Sequence, residues 1–280
     1  MKRSLLFASL FSMVLIYPLS ATTLEKTRVL TLPLQGIKTL SIDAGAGFLK
    51  VSGNEKATEI HVKADIRIKE PTQQDCEKIL QNNLRLSLVK RGDKAVLTAN
   101  FEEINHIFTF FSSNDTLAAI DLTVTLPKKM DLYVDDGSGY AQIDSLDGSI
   151  TVDDGSGDLV IRETSGWLSI DDGSGNLTVE DHKGDAKIDD GSGELVVRGN
   201  WGNLVVDDGS GNLEVLDTRG DITVDDGSGE IVIRNVTGSV KISDGAGNIT
   251  VEDVGKDFIV KEDGSGSIKS VRVKGKVVEP

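Results

Sequence analysis

Through the second half of the chain, aliphatic residues come in pairs separated by one polar position. Leu159 and Ile161 are followed by Leu168 and Ile170, and further on Leu213 and Val215 by Ile222 and Val224. Alternation with a period of two predicts short β-strands with the aliphatic side chains on one face. Each pair follows a glycine, and successive pairs begin nine residues apart, so every eighteen residues hold two strands.

The punctuation between the strands keeps the same period. The phrase Asp-Asp-Gly-Ser-Gly starts at Asp135, Asp153, Asp171, Asp189, Asp207 and Asp225, and worn copies follow at Ser243 and Glu262. A fixed period with turn residues in register is the signature of a solenoid. Four inward aliphatics cannot offset the ordering of eighteen residues, so each repeat must stack on its neighbours. The expected fold is all-β: a single-stranded parallel β-helix of about eight 18-residue repeats. Right-handed winding follows from the general rule for parallel crossovers.

A longer period overlies the first. Arg162, Arg198 and Arg234 lie thirty-six apart, as do Asn176, Asn212 and Asn248. Outward Val160, Val196 and Val232 alternate with Thr178, Glu214 and Thr250. Either a pair of repeats was duplicated, or one full coil takes thirty-six residues and four strands. The last copy slips by one residue around Asp257 and ends in a basic strand, Ile268–Val278, of the kind that protects a solenoid's final edge.

The region before the repeats is mixed. Strands are expected at Thr39–Ile42, Phe48–Val51, Glu59–Ile66, Leu84–Leu88, Ala95–Ala99 and Ala118–Leu126. Thr72, with Asp75 three residues on, opens one short helix from about Gln73 to Gln81. Cys76 shares a helical face with Ile79 and Leu80 and is expected to be a buried thiol. It is the only cysteine, so no internal disulfide can form. At the start, Met1-Lys2-Arg3, an apolar run from Leu5 to Leu19 and small residues at Ser20 and Ala21 read as a secretory signal peptide. The chain therefore divides into a signal peptide (1–21), a β-rich segment that leads into and caps the solenoid (22–134), and the repeat solenoid (135–280). The mature protein is expected to be exported, to the periplasm or the cell surface, with no integral membrane segment.

Charge narrows the partners. The formal net charge is -15, and residues 135–280 hold 31 of the 45 acidic side chains against 13 of the 30 basic ones. Such a field disfavours nucleic acid and anionic lipid and favours cations or basic surfaces.

The paired aspartates are the main candidate chemistry. In a stacked solenoid equivalent residues stand about 4.8 Å apart. Carboxylates at that spacing repel by about 1 kcal/mol in water and about 3.5 kcal/mol at an effective dielectric of 20, so the rows need relief. In one reading the second aspartate of each pair caps the turn through backbone N–H groups, and the first points into solvent. In the other, the first-aspartate row, Asp135, Asp153, Asp171, Asp189, Asp207 and Asp225, binds Ca²⁺ or another hard cation. The phrase departs from the nonapeptide of calcium-binding β-rolls, because the chain passes from Asn176 directly to the buried Leu177.

Other motifs carry less. The Gly-Ser-Gly triplets precede strands and follow two acids, unlike a phosphate cradle. His61, His106 and His182 are scattered, and an active site is a unique constellation whereas these aspartate pairs are copied six times. No catalytic residue and no cofactor is assigned. The apolar cluster of Phe101, Ile104, Ile107, Phe108, Phe110 and Phe111 is either a plug over the open end of the solenoid or an exposed contact for a partner. Trp167 and Trp201 occupy different places in their repeats, and one of them could stack on a sugar.

The segment Ala119 to Gly139, in which a strand ends at Pro127 and runs into the first Asp-Asp-Gly-Ser-Gly, resembles a bacterial β-solenoid family of unknown function labelled "putative adhesin". Leu40 to Val51 matches that family's opening strand pair. The resemblance spans about Thr39 to Val273, is specific for fold, and brings no catalytic or binding residues. It implies adhesion. Taken with the export signal and the acidic repeats, the leading expectation is a non-enzymatic exported protein that presents an acidic repeat face to a cell-surface or glycan ligand. A periplasmic structural protein without external ligand is the alternative, and a β-helix enzyme acting on polysaccharide comes third.

Overall fold

The computed structural model describes residues 21–102 and 118–280. The signal-peptide reading, His106 and all of the phenylalanine-rich cluster except Phe101 lie outside the described residues. Two twelve-stranded sheets, A and B, face each other along the molecule. Each coil contributes one strand to each sheet, and the aliphatics between them form one continuous core. Among the described residues no helix is long and apolar enough to cross a membrane.

The coil takes eighteen residues. Ile150 pairs with Leu168 and Leu168 with Ala186 in sheet B, and Leu159 pairs with Leu177 and Leu177 with Leu195 in sheet A. All of these pairings are parallel. Leu159, Ile161, Leu168 and Ile170 point inward and are buried, as the alternation requires. The outward residues depart from expectation at two places: Val160 and Val196 are 9% and 7% exposed, so the outer face of sheet A covers them.

The N-terminal region belongs to the same stack, in an order the chain does not announce. Its elements are β1 (Thr22–Pro33), β2 (Thr39–Ala46), β3 (Leu49–Asn54), β4 (Glu59–Glu70), α1 (Gln73–Asn82), β5 (Leu84–Arg91), β6 (Lys94–Phe101) and β7 (Ala118–Pro127). The solenoid continues with β8 (Asp131–Ser138) and β9 (Ala141–Asp144), so residue 134 falls inside a strand. In sheet B β2 sits between β6 and β8, and in sheet A β3 sits between β7 and β9. The rung made first in the chain is therefore held between the rungs made by β6 with β7 and by β8 with β9. Antiparallel β1 and β4 close this end of sheet A, and antiparallel β5 closes sheet B. β1 is a strand that the hydrophobic pattern does not disclose, because only alternate residues such as Leu24, Leu30 and Leu32 pack partly against the core.

The helix starts where its cap dictates. Thr72 Oγ1 accepts the Asp75 N–H at 3.2 Å, and Cys76 beneath it is buried against the Thr22 and Ile68 carbonyls. At the other end the one-residue slip lies at Lys261, because Ile242 pairs with Val260 but Ser243 with Glu262. Asp257 is still in register, since its carbonyl accepts the Val240 N–H at 2.8 Å. The basic tail is two strands rather than one: Gly266–Val273 closes sheet A and Val277–Val278 closes sheet B.

Candidate functional site

The two aspartates of each repeat end a sheet B strand, and strand geometry sends them to opposite faces. In Leu168–Asp172 the inward residues are Leu168, Ile170 and Asp172, while Ser169 and Asp171 face out. Stacking then draws two parallel rows. The outer row runs through Asp43, Asp135, Asp153, Asp171, Asp189, Asp207 and Asp225, each paired with the next, and all are exposed. The inner row runs through Asp136, Asp154, Asp172, Asp190, Asp208, Asp226 and Asp244, none more than 3% exposed. Asp263, half-buried, ends it, and Ala44 takes the equivalent place before Asp136.

The inner aspartates make the corner. Asp172 Oδ1 accepts the Ser174 N–H at 3.1 Å, Asp226 Oδ1 that of Ser228 at 3.0 Å, and Asp244 Oδ1 that of Ala246 at 3.0 Å. The side chain thus replaces the backbone acceptor that a tight turn would otherwise need. Next to it the second glycine of the phrase takes a positive φ, 141° at Gly175, and its N–H donates to the Ser192 carbonyl of the next coil at 3.0 Å. These bonds account for the repeated Asp-x-x-Gly spacing, and they match the turn-capping reading of the second aspartate.

They do not satisfy the carboxyls. Asp136, Asp172, Asp226 and Asp244 each keep one buried oxygen without a partner, and Asp154, Asp190 and Asp208 keep two. Burial first, with the charge of neighbouring aspartates added and the turn N–H opposing, pushes Asp136, Asp172 and Asp226 up to about 7. Asp154 and Asp208 rise to about 6, again chiefly through burial. Asp190 and Asp244 are raised for the same leading reason.

The outer row holds the six residues singled out as cation ligands, Asp135, Asp153, Asp171, Asp189, Asp207 and Asp225. The structure brings them into one line along the face of sheet B. Asp135 is raised by partial burial and then by Asp153 and Asp43. Among the described residues no group of three or more histidine, cysteine or acidic side chains is arranged to hold a metal ion.

Two further columns were not visible as sites in the sequence. At the edge opposite the Gly-Ser-Gly corner, Thr164, His182, Asn200 and Thr218 are buried one above another. Thr164 Oγ1 and His182 Nδ1 are 2.9 Å apart, while His182 Nε2 and Asn200 Oδ1 have no partner. Beside this column Trp201 lies between Lys183 and Arg219, 5.0 and 4.1 Å from its ring, so cations cover the ring that could have stacked on a sugar. Trp167 is exposed and is not clamped in this way. The second column is the outer face of sheet A, where Arg162, Glu180 and Arg198 follow one another in register. At the N-terminal end, the stacked rings of Phe48 and Tyr140, 5.5 Å apart, line a cleft of about 560 Å³ with the ion-paired Arg67 and Asp121. His61 lies on β4 and His182 in the opposite edge of the stack, and the fold does not bring them together.

Comparison with known proteins follows the fold. The family model described as Toastrack DUF4097 matches residues 56–276. A putative lipid binding protein from Parabacteroides distasonis aligns with 91% of this chain and 97% of its own, at 17% identity and a TM-score of 0.46. Putative adhesins from Bacteroides fragilis and Parabacteroides merdae align at 12% and 14% identity with TM-scores of 0.34 and 0.33. They cover 90% and 91% of this chain and 96% of each of theirs. No curated protein matches the chain.

Proposed function

This chain belongs to the Toastrack DUF4097 family, and we propose that it is a non-enzymatic exported scaffold that binds a cationic partner along the outer face of sheet B. The observation that carries the reading is the outer aspartate row, seven exposed carboxylates in unbroken register from Asp43 to Asp225. A straight file with a spacing of about 4.8 Å offers many weak contacts to one extended partner rather than one strong contact to a small molecule. The partner class is a basic cell-surface protein, or a glycan surface reached through divalent cations such as Ca²⁺ held between the carboxylates. The copying of the same pair through six repeats, with the histidines apart, supports binding rather than catalysis.

Location and binding test the reading separately. Protease added to intact cells should cleave the tagged mature protein if it lies outside, whereas protection until the outer membrane is opened would favour a periplasmic structural role. On the purified protein, a polylysine surface should be bound with steep salt dependence. Replacing Asp153, Asp171, Asp189 and Asp207 by Asn should weaken that binding at least tenfold. Unchanged binding would remove the outer row from the function.

A further inference from the structure

The inner aspartate column takes no part in the proposed binding face, and its geometry raises a separate question. Seven carboxyls stand in register at the edge of the core, each at most 3% exposed. On Asp172, Asp226 and Asp244 the turn N–H occupies one oxygen, and the other faces no donor. A buried oxygen in that state is costly unless something donates to it.

Among the described residues the surroundings offer no cation. The inward residues of the opposing strands are aliphatic, Leu159, Ile161, Leu177, Val179, Leu195 and Val197. The charged groups that act on the column are other carboxylates: its own members, the outer Asp135, Asp153, Asp189, Asp207 and Asp225, Asp158 beside Asp172, and Asp263 beside Asp244. From the opposite edge His182 is the titratable group turned inward among the described residues, and burial disfavours its charged form. No ion pair reaches any inner aspartate among the described residues. The group that strand register repeats beside each inner carboxyl, and that becomes a donor once protonated, is the carboxyl of the next aspartate.

We propose that the inner column binds a file of protons, the carboxylic O–H of one rung donating to the carboxyl oxygen of the adjacent rung, so that acid tightens the stack and alkali loosens it. Each proton lost goes to solvent base and leaves a buried carboxylate beside its neighbours. The column is therefore a pH-sensitive element built into the solenoid, independent of what the outer face binds. The direction of the effect is fixed. Inner aspartates with folded values near 6 to 7, above the ordinary 3.8, hold more protons folded than unfolded. Their contribution is complete below about 4 and is lost as pH rises through 6 to 7.

Thermal unfolding of the mature chain between pH 5 and pH 8 tests this on the wild type and two variants: Asp172→Asn, Asp190→Asn and Asp208→Asn combined, and the outer control Asp171→Asn, Asp189→Asn and Asp207→Asn combined. The wild type should gain about 5 °C or more on going from pH 8 to pH 5. The inner variant should lose a clear part of that gain, because three of the seven carboxyls become amides that donate without titrating, and the outer control should keep it. Should the inner variant fail to fold, the infrared band of the protonated carboxyl in the wild type at pH 6 decides. A band well above that of the urea-unfolded chain supports the proton file, and none overturns it. A wild type whose melting point is flat or rises with pH overturns it. So does saturable Na⁺ or Ca²⁺ binding at pH 8 that restores the lost stability and survives in the outer control, since the column would then hold cations instead.

Discussion

Arg162 Nε lies 2.9 Å from Glu180 Oε2 across one rung of sheet A, and the two residues stand eighteen apart in the chain. The next rung places Arg198 in the same column, 3.9 Å from Glu180 and 2.6 Å from Glu214. Two rungs further the pattern resumes with Arg234 and Glu252 at 3.7 Å. The thirty-six-residue period is thus charge alternation between adjacent eighteen-residue coils, interrupted at Leu216, which stands between Arg198 and Arg234. Asn176 and Asn212 do the same between acids at the next turn, and Asn248 between Glu230 and Ser267: Asn176 Nδ2 donates to Asp158 Oδ1 at 3.1 Å, and the Glu194 N–H donates to Asn176 Oδ1 at 3.3 Å.

Breaking the alternation gives the first prediction. Glu180→Arg sets three arginines on successive rungs. Exposed pairs are worth about 0.2–1 kcal/mol, and like charges directly opposite destabilise by similar amounts. The melting temperature should fall by about 2–4 °C at low salt and by clearly less at about 1 M salt, as measured by circular dichroism. A loss that salt does not change would point to packing rather than charge.

The second prediction contrasts two glycines from different copies of the phrase. At Gly175, with φ of 141°, a Cβ would lie 1.6 Å from the Gly157 carbonyl oxygen of the preceding coil. At Gly137, where the neighbouring rung is Ala44-Gly45, the nearest atom would be 3.6 Å away. Gly175→Ala should therefore force adjacent rungs apart and cost more than about 3 kcal/mol, with loss of soluble protein. Gly137→Ala should stay within about 1 kcal/mol of the wild type. Equal effects in urea unfolding would mean that the corner tolerates a wider rung spacing.

Trp201 supplies a third. With Lys183 and Arg219 against its ring, it acts as a clasp between three coils. At roughly 0.5–1 kcal/mol for each cation–π contact, Trp201→Ala should lower stability by about 1–2 kcal/mol. It should leave binding to the outer face of sheet B unchanged. A drop in ligand binding with intact stability would return the ring to the role of a contact surface.

The features of the fold that local pattern controls were legible. Period-two alternation placed Leu159, Ile161, Leu168 and Ile170 inside, and Thr72 with Asp75 placed the helix. The turn-capping reading of the second aspartate, one of the two held open for the pair, matches the inner member that the structure shows. What escaped notice was non-local or chemically varied. The insertion of the β2–β3 rung between later rungs leaves no mark on the sequence, because the strands look alike whichever neighbour they pair with. The left-handed position at or beside the end of the sheet A strands is filled by Ser145, Glu163, Asp181, Gly199, Asp217, Asn235, Asp253 and Arg272, types too different to read as a motif. The buried polar column was hidden for the same reason, since Leu146, Thr164, His182, Asn200, Thr218 and Val236 share a place but not a chemistry.

His182 in that column yields the last prediction, opposite in sign to the aspartates. Burial lowers its basicity below the ordinary 6.5, so the folded chain holds a neutral ring where the unfolded chain takes a proton. Its contribution to stability is present above about 6.5 and is lost as pH falls toward the folded value, at up to about 1.4 kcal/mol per pH unit. His182→Asn places there the residue that the next rung carries at Asn200, whose Nδ2 donates to the Gly202 carbonyl at 2.8 Å. The variant should fold, and between pH 6.5 and pH 5 its melting temperature should rise more steeply on acidification than that of the wild type. The difference between the two curves isolates the histidine, because the aspartate column is common to both. Parallel curves would mean that the ring takes its proton in place, with Nε2 finding a partner inside the folded stack.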